Sequence, residues 1–145
     1  LGMFAFWEKE GFIYVKGGGN YNTKFSFNNT SADSNKILYT KDGVEWVAVE
    51  QDFRQTRFEG FSKLGKFLFS IGGYSSDFSN SQAYNLKEIH VSQDGINWKK
   101  LEEIKQFRSR HAPIVYKYNN AIYILGGNDG SIFNDLWKIE KIIND

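Results

Sequence analysis

Residues Ser70 to Trp98 read SIGGYSSDFSNSQAYNLKEIHVSQDGINW. A glycine pair follows an apolar run, a polar stretch intervenes, and the segment closes on Asp-Gly-x-x-Trp. The same marks recur elsewhere. Gly-Gly also ends IYVKGG at 13–18 and IYILGG at 122–127, so the first glycines, Gly17, Gly72 and Gly126, are 55 and 54 residues apart. Asp-Gly-x-x-Trp spans Asp42 to Trp46 and Asp94 to Trp98, a spacing of 52. Phe53-Arg54 and Phe107-Arg108 are 54 apart. Independent markers with one common period identify a tandem repeat.

Each repeat reads as four short strands. In the middle repeat they fall near 57–63, 66–71, 87–92 and 97–101. Gly65-Lys66 joins the first pair and Asp94-Gly95 the last, and Asp-Gly is a strong hairpin signal because it tolerates positive φ. PIVYKY, Asn119-Asn120 and AIYIL repeat the first hairpin. The second strands (FLFSI, IYIL) are nearly all apolar, which predicts cover on both faces. Glycines ending such a strand predict close passage of another backbone.

A period near fifty, four strands, Gly-Gly after the second and Trp in the fourth resemble the kelch repeat of β-propellers. Arg110 before PIVYKYNNAIYILGG matches the family's arginine upstream of the first strand, and NDLW at 134–137 its third-strand opening. The resemblance implies that Trp46 and Trp98 pack between neighbouring blades, each ring contributing about 2–3 kcal/mol. It covers nearly the whole chain. It departs at Leu1, which stands where Arg110 stands in the third repeat, and at the end, where no fourth-strand Trp follows. The expected fold is therefore all-β: a kelch-type propeller segment over 1–145, with blades at about 1–52, 53–106 and 107–145, the last lacking its fourth strand. Thr40 to Trp46 and Ser92 to Trp98 also resemble a shortened Asp-box of sialidase-type propellers. That motif is a turn staple, with Asp42 and Asp94 accepting backbone N–H bonds and Gly43 and Gly95 supplying the unusual φ. Sialidase activity does not follow from it.

Propellers close with about four to eight blades. Three blades predict either membership in a longer polypeptide or association of copies to complete a ring. The incomplete first and last repeats favour the former.

Composition narrows the function classes. The 145 residues carry 18 basic and 17 acidic side chains, a net charge of +1, which gives no field for gathering nucleic acid. No cysteine is present, excluding disulfides and thiolate metal sites. No apolar run approaches a membrane span, and no signal peptide is visible in these residues; the compartment stays open. Aromatic residues are 17% of the chain.

The second-to-third loops (19–35, 74–85, 128–134) and the inter-blade connections share one face of such a fold. They collect Arg54, Arg57, Arg108, Arg110 and His111 beside Tyr21, Phe25, Phe27, Tyr74, Phe78 and Tyr84. Arginine and tyrosine dominate binding hot spots through planar hydrogen bonding and rigid apolar area. Arg110 and Arg57 also read as blade-to-blade ties, and the loop aromatics as covers for the glycines beneath. Arg54 and Arg108 each follow a Phe that tucks under its blade and sends the guanidinium to solvent. His111, beside an arginine at a strand start, and His90, in a third strand, read as structural. Gly17, Gly18, Gly72, Gly73, Gly126 and Gly127 read as structural too.

Catalytic patterns are weak. Two histidines without His-x-His or His-x-x-x-His spacing predict no metal site. The Tyr, Cys and His set of kelch-like copper oxidases is incomplete, GGGN at 17–20 lacks the Gly-Lys-Ser/Thr of a phosphate loop, and no Gly-x-Ser-x-Gly occurs. Glu102 and Glu103 are adjacent and would diverge on a strand. NDG at 128–130 reads as a turn rather than a calcium loop. Asn28-Asn29-Thr30-Ser31 holds two overlapping glycosylation triplets, common by chance in an Asn-rich chain. The expectation is a cofactor-free, non-catalytic binding or scaffolding module for a protein or peptide. The alternative is a glycan-binding or glycan-active propeller, including sugar-isomerising members.

Overall fold

A computed structural model describes residues 2–19, 36–50, 56, 58–77 and 82–140, with the backbone alone for 2–4, 17–19, 75–77 and 82–84. The described residues are all-β and contain no helix. The first sheet joins β1 (Gly2–Lys9), β2 (Phe12–Gly19), β3 (Lys36–Thr40) and β4 (Val47–Glu50) in chain order. A two-stranded ribbon pairs β7 (Tyr74–Asp77) with β8 (Gln82–Asn85). The second sheet runs β5 (Gly60–Leu64), β6 (Phe67–Ile71), β9 (Ile89–Ser92) and β10 (Lys99–Lys100). The third holds β11 (Ile114–Tyr118), β12 (Ala121–Leu125) and β13 (Leu136–Ile139). Every pairing is antiparallel between successive strands, with the ribbon inserted between β6 and β9.

Local chemistry sets the turns. Asn119 and Asn120 both take left-handed φ (44° and 56°) between β11 and β12, a geometry asparagine tolerates better than most residues. In the β9–β10 turn, Asp94 Oδ1 accepts the N–H groups of Ile96 (2.8 Å) and Asn97 (2.7 Å). The Gly95 N–H donates to Ser92 Oγ at 2.9 Å. Asp42 and Thr40 repeat this network, with Val44 N–H at 2.8 Å and Glu45 N–H at 3.0 Å from Asp42 Oδ1. The Asp-Gly motif is a turn staple, as its residue types imply.

Side-chain alternation makes two seams. On β6, Phe69 and Ile71 point to the third sheet while Leu68 points to the first. The larger seam packs Phe69, Ile71, Ile89 and Val91 against Ile122 and Ile124, with Phe107 inserted from the connecting segment. Phe107 meets Trp137 edge-on at 5.4 Å. At this seam the first strands of the two sheets, β5 and β11, touch: a Cβ on Gly60 would lie 2.2 Å from a Val115 methyl. The other seam gathers Trp7, Ile37 and Leu68 with Tyr14, Phe61 and Trp98.

Four expectations need correction. Trp46 is 45% exposed rather than wedged between sheets, because no sheet among the described residues covers that face of the first sheet. β6 is covered on both faces, but β12 on one only; Leu125 is exposed for the same reason at the other end. Gly17 and Gly18 do not end β2, because the long β1 partners it as far as Gly19. The 74–85 segment, expected as loop, is the β7–β8 ribbon.

Candidate binding rim

The connecting segment from Phe107 to His111 crosses the ends of the second and third sheets, and the two glycine pairs make room for it. The Gly73 N–H donates to Arg110 O at 2.8 Å, and the Arg110 N–H donates to Leu86 O at 2.9 Å. A Cβ on Gly72, whose φ is +63°, would sit 2.5 Å from Arg110 O. One on Gly127, whose φ is +105°, would lie 3.1 Å from His111 O and 3.2 Å from the Arg110 side chain. The hydrogen-bonded backbone over Gly72 cannot yield, and at Gly127 the left-handed φ itself favours glycine.

Arg110 itself is 0% exposed. Its guanidinium grips Asp135 through Nη1 (2.6 Å) and Nη2 (2.8 Å) and donates to Gly126 O (2.7 Å) and Arg108 O (3.1 Å). It stacks 4.5 Å from the ring centres of Phe107 and Phe133. The Arg110 hydrogen bonds, joined by that of Trp137 Nε1, hold the Asp135 carboxyl down at about 2 against the opposing effect of partial burial. The expectation that Arg110 offers itself to a ligand is corrected: no edge of its guanidinium is accessible, and it ties strand ends together.

Its neighbour differs. The Arg108 side chain is 63% exposed, yet fixed: Nη2 reaches Asp129 Oδ2 at 2.7 Å and the guanidinium lies 4.5 Å over Phe133. Phe133 is thus flanked by a buried and an exposed arginine. Next to them, His111 Nδ1 and Asn85 Oδ1 share a hydrogen bond at 2.6 Å. The His111 ring meets Tyr74 edge-on at 5.6 Å and Phe58 at 5.8 Å. Arg108, His111 and Tyr74 therefore share one rim. Tyr84 lies on β8, described by its backbone only; Arg54, Arg57, Tyr21, Phe25, Phe27 and Phe78 lie outside the described residues. Asn85 and Phe133 escaped the sequence reading, and Asp129 and Asp135 entered it only within NDG and NDLW, without a role at this rim.

A second polar group lies under the same rim, between the first two sheets. Lys16 Nζ is 2.6 Å from Glu59 Oε2, with side-chain exposures of 5% and 2%. The Thr56 and Ser70 hydroxyls also bond to Glu59 Oε2, Ser70 at 2.9 Å. Glu59 Oε1 is buried with no hydrogen-bond partner among the described residues. His90, paired across from Ser70, has its pKa lowered chiefly by burial; Glu88 and Glu59 oppose this, and Lys16 and Lys100 reinforce it. No sequence pattern announced this group, since its members come from both sheets and the connection between them. Among the described residues, no three His, Asp or Glu side chains are placed to hold a metal ion.

No family model and no curated protein matches the chain. Solved structures do. The structure of YjhT superposes with a TM-score of 0.63 at 14% identity, covering 88% of this chain and 34% of its own. The chain thus spans about a third of the length of that structure. The likeness supports a propeller-like all-β fold.

Proposed function

We propose that the chain is part of a kelch-type β-propeller, with blades at about 1–52, 53–106 and 107–145, serving as a non-catalytic module that binds a protein or peptide over its rim. The observation that carries this reading is Arg108: an exposed guanidinium, stacked on Phe133 and paired with Asp129, on a segment pinned by Arg110. A pre-oriented arginine loses little entropy on binding, and its planar fork suits backbone carbonyls and carboxylates. Tyr74 and His111 add rigid ring area beside it.

A displayed peptide library selected on the chain tests this. Arg108→Ala is expected to weaken the selected peptides roughly thirtyfold or more with an unchanged circular dichroism spectrum. Equal binding by the variant discards the rim. The glycan reading is favoured by one observation, the buried Glu59 with an unpartnered oxygen. Its ion-pair partner among the described residues is Lys16 rather than an arginine. Binding to a glycan array that Glu59→Gln abolishes and Arg108→Ala spares would favour it instead.

A further inference from the structure

Phe58 holds a conformation that its residue type resists. Its φ is +53°, and Ala112, equally far ahead of its own glycine pair, has a φ of +51°. Their backbones meet, the Ala112 N–H donating to Phe58 O at 2.6 Å. The turn into the first strand of each of these two sheets therefore imposes the left-handed backbone, whichever residue stands there. Glycine or asparagine suits such a position, and a bulky side chain there is a genuine outlier.

Packing does not account for the ring. Phe58 belongs to neither of the two seam clusters and is 38% exposed. Nor does it lie on an outer face of the chain, since it stands where the second and third sheets meet. Its ring instead meets that of His111, with centres 5.8 Å apart and planes at 53°, and His111 meets Tyr74 at 69°. The middle residue of this cluster is held firmly. His111 exchanges both backbone hydrogen bonds with Asn128, at 2.9 and 3.0 Å, and its Nδ1 bonds to Asn85 Oδ1. Asp129, the next residue, holds the Arg108 guanidinium at 2.7 Å, which brings an exposed cation beside the three rings.

We infer that Phe58 is a binding residue of the rim, and that Phe58, His111 and Tyr74 together receive an aromatic side chain from a peptide segment of a partner protein. The inference rests on the rim reading above and names the group that the partner brings. Backbone strain that packing leaves unexplained concentrates at binding positions. Rings set at steep angles to one another offer faces and edges to a further ring, which prefers tilted or offset neighbours. Arg108 attracts the face of that ring and repels a lysine or arginine in its place. A sugar is the poorer fit: it needs several hydrogen-bonding groups, and His111 Nδ1 is already engaged.

The test uses Phe58→Gly and Phe58→Asn, which accept the left-handed backbone and remove the ring. Peptides selected on the unaltered chain from a displayed library are expected to share a Trp, Tyr or Phe at one position. Each variant is expected to bind them roughly tenfold or more weakly, with a urea midpoint equal to or above that of the unaltered chain. Full-strength binding by either variant overturns the inference, as do selected peptides with no shared aromatic residue. A clearly lower urea midpoint in both variants also overturns it, because the ring then serves packing. Binding lost in Arg108→Ala but kept in Phe58→Gly leaves the rim standing while this inference falls; a library that yields no binder removes both.

Discussion

Replacing Arg110 by methionine keeps an apolar stem beside Phe107 and Phe133 but removes every guanidinium bond. Gly126 O and Arg108 O then lose buried donors, and Asp135 loses its bidentate partner. The expected loss is roughly 3 kcal/mol, read from the shift in urea midpoint. A loss well under 1 kcal/mol would show that the backbone bonds of Gly73 and Leu86 hold the segment alone. Arg110 was legible as a tie from its place before the first strand. Asp135 was not, because their meeting depends on how the 128–134 segment folds back to bring together residues 25 positions apart.

At the scale of elements, equivalent tryptophans have unequal surroundings. Trp98 meets the rings of both Trp7 and Phe61 edge-on, whereas Trp46 is exposed. Trp98→Ala is expected to cost about 3 kcal/mol by chemical denaturation, and Trp46→Ala under about 1 kcal/mol. Equal costs would mean that Trp98 acts through its own turn rather than through the seam. The turns were readable because Ser/Thr-x-Asp-Gly closes on itself within a few residues. The β7–β8 ribbon was not. YSSD and QAYN carry no apolar alternation, and the pairing arises where the flanks are clamped, Leu86 N–H to Gly73 O at 2.9 Å.

Across the whole molecule, protons couple to stability in two stages. His90 is held neutral by burial, so its folded pKa lies below the ordinary 6.5. As pH falls through 6.5 the unfolded chain takes up a proton that the folded chain resists, and stability declines until the lower folded pKa is passed. Asp135 and Asp94 have folded values of about 2 against an ordinary 3.8. For Asp94 burial pushes upward, but Asn97, Ile96 and Ser92 outweigh it. Their contribution is complete above 3.8 and is lost as pH falls toward 2. Urea midpoints measured against pH should show both declines, with His90→Gln removing the upper one. If the upper decline survives that substitution, its source is elsewhere.

The period of the glycine pairs, the Asp-Gly turns and the apolar second strands were sufficient to specify an all-β chain of repeated antiparallel sheets. These features act within a hairpin, over distances the chain itself sets. Which tryptophan is covered, which arginine is enclosed and where a lysine meets a buried glutamate were decided only by the packing of one sheet on the next. Each sheet has two faces, and a face takes its character from its neighbour: Trp98 has one among the described residues, and Trp46 has none.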